Sequence, residues 1–292
     1  PVFSIIQESS ALGCKMQWEG KDNWPTVRMS EPIWEHPDDI YVPNDLIDHP
    51  DTRCVLDAIK LLREELGPDV AIIGKTMGPW SLAYHCFGVE RFLLLSLDDP
   101  EATRIILEKL KKATIDFGRA QIEAGVDALT LPDHATGDLV SGEYYHRYLK
   151  ALHSEFAKSI PCPLILHICG RTVDRMGFIA ETGMAAFHYD SKNQAAESME
   201  AVKGRIALVG NINNPETLFA KSPEDVKAEV FANLDAGVNM IGPECAIPLQ
   251  TSIANLRAIP EAVHEWHSFC HGNRPPRALW PPRSIDVSRC CL

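Results

Sequence analysis

Short apolar runs of four to six residues alternate along the chain with longer segments in which apolar residues recur every three or four positions. Short runs that are apolar throughout are typical of parallel strands buried on both faces, and the longer spacing is typical of amphipathic helices. The pattern predicts strands at Val2–Ile6, Val70–Lys75, Ala128–Leu131, Leu164–Ile168, Ala185–Tyr189, Ile206–Gly210 and Val238–Gly242. Strands alternating with helices in this way indicate βα units around a parallel sheet.

Two of the helical segments carry clear end signals. The segment Asp99–Ala124 has an apolar stripe at helical spacing and is followed by Gly125. The segment Ser222–Ala236 starts with an N-capping serine followed by proline, and Gly237 ends it. Proline in the first turn and glycine just beyond the last turn are favoured helix boundaries.

We therefore predict an α/β fold of the (β/α)8 TIM-barrel class. Such a barrel needs eight strands, so we expect one strand to precede Pro1 and the chain to lack its N-terminal segment. An open doubly wound sheet is the alternative, although no G-x-G-x-x-G sequence follows the first predicted strand. Residues 1–268 are predicted to form a single domain, and residues 269–292 a disordered or non-native tail.

The charge and the amino-acid composition limit the kinds of molecule that the protein is expected to bind. The chain has 292 residues and a net charge of −12 without a Lys/Arg cluster, which disfavours nucleic acid and anionic membrane surfaces. No apolar run is long enough to span a bilayer, and no signal peptide opens the chain, so we expect a cytoplasmic protein without membrane insertion. Nine scattered cysteines favour free thiols or a metal site over a disulfide framework.

Polar side chains follow the predicted strands at their carboxyl ends, where barrels of this class carry their chemistry. The residues at these ends are Gln7 and Glu8, Lys75 and Thr76, Asp133 and His134, His167 and Cys169, Tyr189 and Asp190, Asn211 and Asn213, and Glu244 and Cys245. The ends of strands far apart in sequence meet at one mouth of a barrel. The sequence therefore predicts a functional site built from these residues.

A His/Cys/Cys set within this group points to zinc. His167 and Cys169 lie two positions apart at a strand end and therefore share a face, and Cys245 follows the last predicted strand. Zinc takes nitrogen and sulfur ligands, and three protein ligands leave an open position for chemistry. A single cysteine or histidine is more often core or structure, so the prediction depends on the conjunction of all three. Asp190 is a candidate for a displaceable fourth ligand, and His134 for a residue supporting the ligands.

The sequences "LILHICG", "GPWSLA" and the stretch from "GNINNPETLF" to "GPECAIPLQ" resemble the uroporphyrinogen decarboxylase superfamily. Within it they are similar to the zinc-dependent methylcobalamin:coenzyme M methyltransferases. The resemblance implies zinc on His167, Cys169 and Cys245, with Asp190 where relatives place an acidic residue that holds the fourth position before substrate arrives.

The resemblance also implies an activity. A methyl group would pass from a methylated corrinoid, carried by a corrinoid protein or supplied as methylcobalamin, to a small thiol such as coenzyme M. Glu8 is expected on the corrinoid side, while Asp133 and Asn211 are expected to bind polar parts of the acceptor. The alternatives are a metal-free tetrapyrrole decarboxylase, the methyltransferase part of a chloromethane-type corrinoid enzyme, and a non-catalytic barrel with structural zinc.

Overall fold

The computed structural model describes residues 6–271 apart from residues 19, 21 and 22, and it contains a short hairpin followed by a larger parallel sheet. The first predicted strand, Val2–Ile6, lies outside the described residues except for Ile6. The strands are β1 (Met16–Gln17), β2 (Thr26–Val27), β3 (Ile73–Lys75), β4 (Ala128–Pro132), β5 (Leu164–Ile168), β6 (Ala186–Tyr189), β7 (Ala207–Ile212) and β8 (Met240–Pro243).

Helices connect the strands of the parallel sheet and flank it. They are α1 (Gln7–Ala11), α2 (Pro50–Leu66), α3 (Pro79–Phe87), α4 (Val89–Asp98), α5 (Pro100–Ala124), α6 (Gly142–Tyr148), α7 (Lys150–Ser159), α8 (Val173–Ile179), α9 (Ala195–Val202), α10 (Pro223–Asp235) and α11 (Ile253–His271). Short 3-10 turns occupy Pro37–Asp39 and Leu46–Asp48, and a π-helical turn occupies Asn214–Phe219. No helix among the described residues combines the length and the apolar character that crossing a bilayer requires.

The strand order decides between the two predicted architectures. Within the described residues β3 to β8 pair in parallel and in sequence order, each strand with the next. A doubly wound sheet reverses its strand order at a switch point, and this sheet has no such reversal. The predicted TIM-barrel class is therefore confirmed, and the doubly wound alternative is excluded.

The predicted helix boundaries also match the structure. Asp99 caps α5 by accepting hydrogen bonds from the amides of Glu101 and Ala102, and Gly125 ends the helix with a φ of 114°. Ser222 caps α10 through a reciprocal pair of hydrogen bonds with Asp225. These caps satisfy amides that a helix leaves without intrahelical partners.

Packing around α3 fixes the turn that follows β3. The ring of Trp80 is fully buried and lies 4.9 Å from that of Phe92 in an edge-to-face contact. A Cβ atom on Gly78, the residue before the helix, would lie 2.2 Å from Cγ of Asp133. The "GPWSLA" turn therefore packs directly against the carboxyl end of β4, where the candidate site begins.

Candidate metal centre

The structure brings His167, Cys169 and Cys245 together at the mouth of the barrel. Nε2 of His167 lies 3.1 Å from Sγ of Cys169, and Sγ of Cys169 lies 3.1 Å from Sγ of Cys245. On a tetrahedral zinc ion, nitrogen–sulfur and sulfur–sulfur ligand pairs are separated by roughly 3.5–3.8 Å, given metal–ligand bonds of about 2.0–2.3 Å. Both contacts are shorter than these separations by well under an ångström, so Cys169 is close enough to each of its two neighbours to share an ion with it.

Strand geometry explains how two of these side chains meet. His167 and Cys169 are two residues apart at the end of β5, so alternation directs both to one face. The chain then turns at Gly170, which has a φ of 77° and whose Cβ would lie 2.2 Å from Oγ1 of Thr136. Only glycine accommodates both that backbone conformation and that close contact. Cys245 arrives from the turn after β8.

The ring of His167 is oriented by its second nitrogen. Nδ1 lies 3.2 Å from the backbone oxygen of His188, so a proton on Nδ1 satisfies that carbonyl and leaves the Nε2 lone pair facing the sulfurs. This arrangement, with one ring nitrogen held by a carbonyl, is common among metal-binding histidines. Burial lowers the pKa of His188 to about 4, so its ring, 4.5 Å from that of His167, is neutral at physiological pH.

The charges around the two sulfurs favour a cation. The contact between the two sulfurs lowers the pKa of Cys245 to about 3. The same contact, together with burial and the nearby Asp190 and Glu244, raises the pKa of Cys169. A thiolate and two carboxyl groups in a partly desolvated pocket create a site suited to a positive ion.

His134 is a further metal-capable side chain at this site. The ligand atoms of His134, His167 and Cys169 all lie within 4.8 Å of one another, and the two rings meet edge to face with centroids 5.8 Å apart. From the sequence, His134 is predicted only to support the ligands, because no motif spacing connects it with the H-x-C pair. Its position after β4, the strand paired with β5, was the available signal.

Asp190 contacts the backbone beside the ligands. Its Oδ2 accepts a hydrogen bond of 2.8 Å from the amide of Gly170, and Oδ1 accepts one of 2.9 Å from the amide of Lys192. The first of these bonds fixes the turn immediately after Cys169. The role of Asp190 as a displaceable fourth ligand stays a prediction.

Glu8 forms a buried ion pair rather than facing an open surface. Its Oε2 lies 2.7 Å from Nζ of Lys75, and its Oε1 accepts a hydrogen bond of 2.6 Å from the amide of Met77. The Glu8 side chain is fully buried and that of Lys75 is 10% exposed. These contacts join α1 to the end of β3, and the predicted contact of Glu8 with a corrinoid stays untested.

Asp133 anchors a buried hydrogen-bond chain. Its Oδ1 accepts a hydrogen bond of 2.8 Å from the amide of Ser81, and its Oδ2 lies 3.0 Å from Nε2 of His153. The other nitrogen of His153 lies 2.9 Å from the hydroxyl of Tyr145. Because Asp133 is fully buried in this chain, the structure gives it a role in fixing the end of β4, and its predicted role in binding the acceptor stays a prediction.

Asn211 and Glu244 hold neighbouring strand ends together. The side-chain amide of Asn211 donates a hydrogen bond of 2.9 Å to the backbone oxygen of Asn193. The two oxygens of Glu244 accept hydrogen bonds from the amides of Ser191 and Asn214, at 2.9 and 2.8 Å. Burial raises the pKa of Glu244. Glu244 thus fixes the turn before Cys245, whereas acceptor binding by Asn211 stays a prediction.

The fold and this cluster together define a TIM-barrel protein with a candidate metal centre at the carboxyl ends of its strands. The chain belongs to the uroporphyrinogen decarboxylase (URO-D) family, whose model matches residues 1–266. The resemblance that the sequence motifs indicated is therefore confirmed.

Several relatives within the family carry methyltransferase names, and others are named uroporphyrinogen decarboxylase, such as that of Teredinibacter turnerae, which is 31% identical over 234 residues and covers 74% of this chain and 65% of that protein. The chain is 32% identical over 268 residues to the methylcobamide:CoM methyltransferase MtaA of Methanosarcina barkeri, covering 91% of this chain and 79% of that protein. It is 28% identical to the methylated-thiol–coenzyme M methyltransferase of Methanosarcina mazei, covering 91% and 71%. A solved structure of a methyltransferase from Methanosarcina mazei matches with a TM-score of 0.87 at 29% identity, covering 91% and 80%.

Proposed function

We propose that the protein transfers a methyl group from a methylated corrinoid to the sulfur of a small thiol of the coenzyme M type. The observation that carries the proposal is the convergence of one imidazole and two sulfurs at the strand ends, with contacts of 3.1 Å. The methylcobamide:CoM methyltransferases among the relatives, at up to 32% identity, support the same donor and acceptor.

The donor set fits zinc. His167, Cys169 and Cys245 would hold the ion, and two thiolates favour zinc over magnesium or calcium. When bound there, zinc would keep an incoming thiol deprotonated at neutral pH, which matters because the thiolate is the nucleophile. His167 contributes a neutral nitrogen oriented by the carbonyl of His188, and Asp190 fixes the backbone after Cys169.

The proposed reaction balances without an external oxidant or reductant. The acceptor sulfur attacks the methyl carbon, a carbon–sulfur bond forms and the carbon–cobalt bond breaks. Both electrons of the broken bond remain with cobalt, which changes from Co(III) to Co(I), and the thiol proton passes to solvent. The donor would be presented by a corrinoid protein that docks over the mouth of the barrel.

The test is the demethylation of methylcobalamin with coenzyme M, followed by absorbance, using protein reconstituted with zinc. Wild-type protein should bind about one zinc ion per chain and should be active, and a chelator should abolish the activity. Cys169→Ser and Cys245→Ser should lose zinc and lower the activity by more than about 10-fold.

Cys162→Ser is the matched control. Cys162 lies before the first residue of β5, whereas Cys169 follows its last, so the control changes the same chemical group at the opposite end of one strand. Its zinc content and activity should be those of wild type. Full activity in Cys245→Ser would refute the proposal, and so would metal-independent release of CO2 from a carboxylated tetrapyrrole without methyl transfer, which would identify a decarboxylase.

A further inference from the structure

We infer that His134 is the fourth ligand of the resting metal centre and that the acceptor thiol displaces it. The inference rests on the metal-dependent function proposed above and names the residue that occupies the exchangeable position. It departs from the sequence-based prediction, which gave that position to Asp190.

The first observation is proximity. The ligand atoms of His134, His167 and Cys169 lie within 4.8 Å of one another, whereas ligands around a tetrahedral zinc ion lie roughly 3.3–3.8 Å apart. Among the described residues, neither ring nitrogen of His134 has a hydrogen-bond partner, although the ring is partly buried. A neutral ring nitrogen without a hydrogen-bond partner keeps its lone pair available to a metal ion.

The second observation is that the backbone of His134 is fixed by other groups. Its amide donates a hydrogen bond of 2.8 Å to Oγ of Ser81. The preceding residue, Asp133, is held through its carboxylate by the amide of Ser81 and by His153, and its own amide donates to the backbone oxygen of His167 at 3.0 Å. The backbone of residue 134 is therefore fixed beside His167, whereas its ring has no hydrogen bond among the described residues.

The third observation concerns Asp190, the other candidate for the fourth ligand. Both carboxylate oxygens of Asp190 already accept backbone hydrogen bonds, from Gly170 at 2.8 Å and Lys192 at 2.9 Å. Both oxygens of Asp190 thus serve to fix the turn that positions Cys169, whereas the ring nitrogens of His134 have no such contact among the described residues.

Displacement of His134 then follows as a simple exchange. The acceptor thiol enters as a thiolate and its proton goes to solvent, while the neutral His134 ring leaves the position. Because the thiol must compete with His134, its apparent affinity in the wild-type protein is reduced by the fraction of sites that His134 occupies. Removing the His134 ring should therefore strengthen thiol binding while weakening zinc binding.

X-ray absorption at the zinc edge tests the inference, since imidazole ligands give a distinct multiple-scattering signature. Resting wild-type protein loaded with zinc should have two imidazoles and two sulfurs. After coenzyme M is added, one imidazole and three sulfurs should remain. His134→Gln should have one imidazole at rest and a zinc affinity, measured by chelator competition, lower by more than about 10-fold. Asp190→Asn is the matched control and should retain both imidazoles.

A single imidazole in resting wild-type protein would overturn the inference without requiring any variant to fold. It would also be overturned if His134→Gln left the imidazole count unchanged, or if Asp190→Asn alone removed an oxygen ligand. The methylcobalamin assay on wild-type protein separates this result from the proposed function. Two imidazoles in a protein that transfers no methyl group would support the ligand assignment and refute the activity.

Discussion

The buried ion pair between Glu8 and Lys75 offers a quantitative test of the structure beside the candidate site. Lys75→Met removes the ammonium group 2.7 Å from Oε2 of Glu8 and leaves the carboxylate in a fully buried position. Breaking a buried pair by removing one partner costs about 3–5 kcal/mol, because the remaining charge has lost its compensation. We expect the free energy of unfolding to fall by this amount.

A double-mutant cycle assigns the loss to the pair itself. In Lys75→Met combined with Glu8→Gln no charge is left buried, and the new amide oxygen can still accept the hydrogen bond from Met77. The double variant should therefore be more stable than the sum of the single changes predicts, by about 2 kcal/mol or more. Urea unfolding at neutral pH, monitored by far-UV circular dichroism, gives all four values.

An exposed pair of the same chemistry serves as the control. Lys15 and Glu31 are 2.6 Å apart, but their side chains are 66% and 41% exposed. Water screens such a pair, so Lys15→Met should change the stability by less than about 1 kcal/mol. Equal losses in Lys15→Met and Lys75→Met, or strict additivity in the cycle, would show that the burial of Glu8 and Lys75 is not what the structure indicates.

Three further predictions address other features. Burial lowers the pKa of His85 to about 3, so below about pH 6.5 the unfolded chain binds a proton at this histidine that the folded protein does not bind. The free energy of unfolding should therefore fall by about 2 kcal/mol through this residue between pH 7.5 and pH 5. Urea unfolding of His85→Gln should lack that part of the decrease. Cys169 and Cys245 should resist a thiol reagent in zinc-loaded protein and react after chelation, so equal labelling in both states would contradict a shared ion. Gly78→Ala should lower the unfolding free energy by about 1–3 kcal/mol because the new Cβ meets Asp133 at 2.2 Å, and unchanged urea unfolding would contradict that packing.

The parallel sheet could be predicted because its strands are buried on both faces and so appear as continuous apolar runs. The boundaries were less predictable, as β3 illustrates. The run from Val70 predicts a strand of six residues, but β3 begins at Ile73. Val70 is 47% exposed, and the amide of Ile72 donates to Oδ2 of Asp127 instead of to a neighbouring strand. A side chain distant in sequence therefore ended the strand. The hairpin of β1 and β2, each only two residues long, was not predicted.

The two parts of the candidate site differ in how far the sequence determines them. His167 and Cys169 meet because of alternation within one strand, a local property that needs no tertiary information. Cys245 could be added because consecutive parallel strands bring their carboxyl ends to one mouth. The positions of His134 and Asp190 depend instead on hydrogen bonds with partners distant in sequence, among them Ser81 for the first, which no spacing rule encodes.

That difference has a chemical consequence. The sequence predicts one imidazole and two thiols, those of His167, Cys169 and Cys245, and these are the ligands that would stay bound to the ion throughout. The exchangeable ligand inferred above has two requirements: its position must be defined, and its side chain must be able to leave the ion without breaking other contacts. A residue whose backbone is held by neighbours while its ring has no hydrogen bond meets both requirements, and His134 has this combination within the described part of the chain. Asp190, bound through both oxygens, is instead suited to keeping the permanent ligands in place.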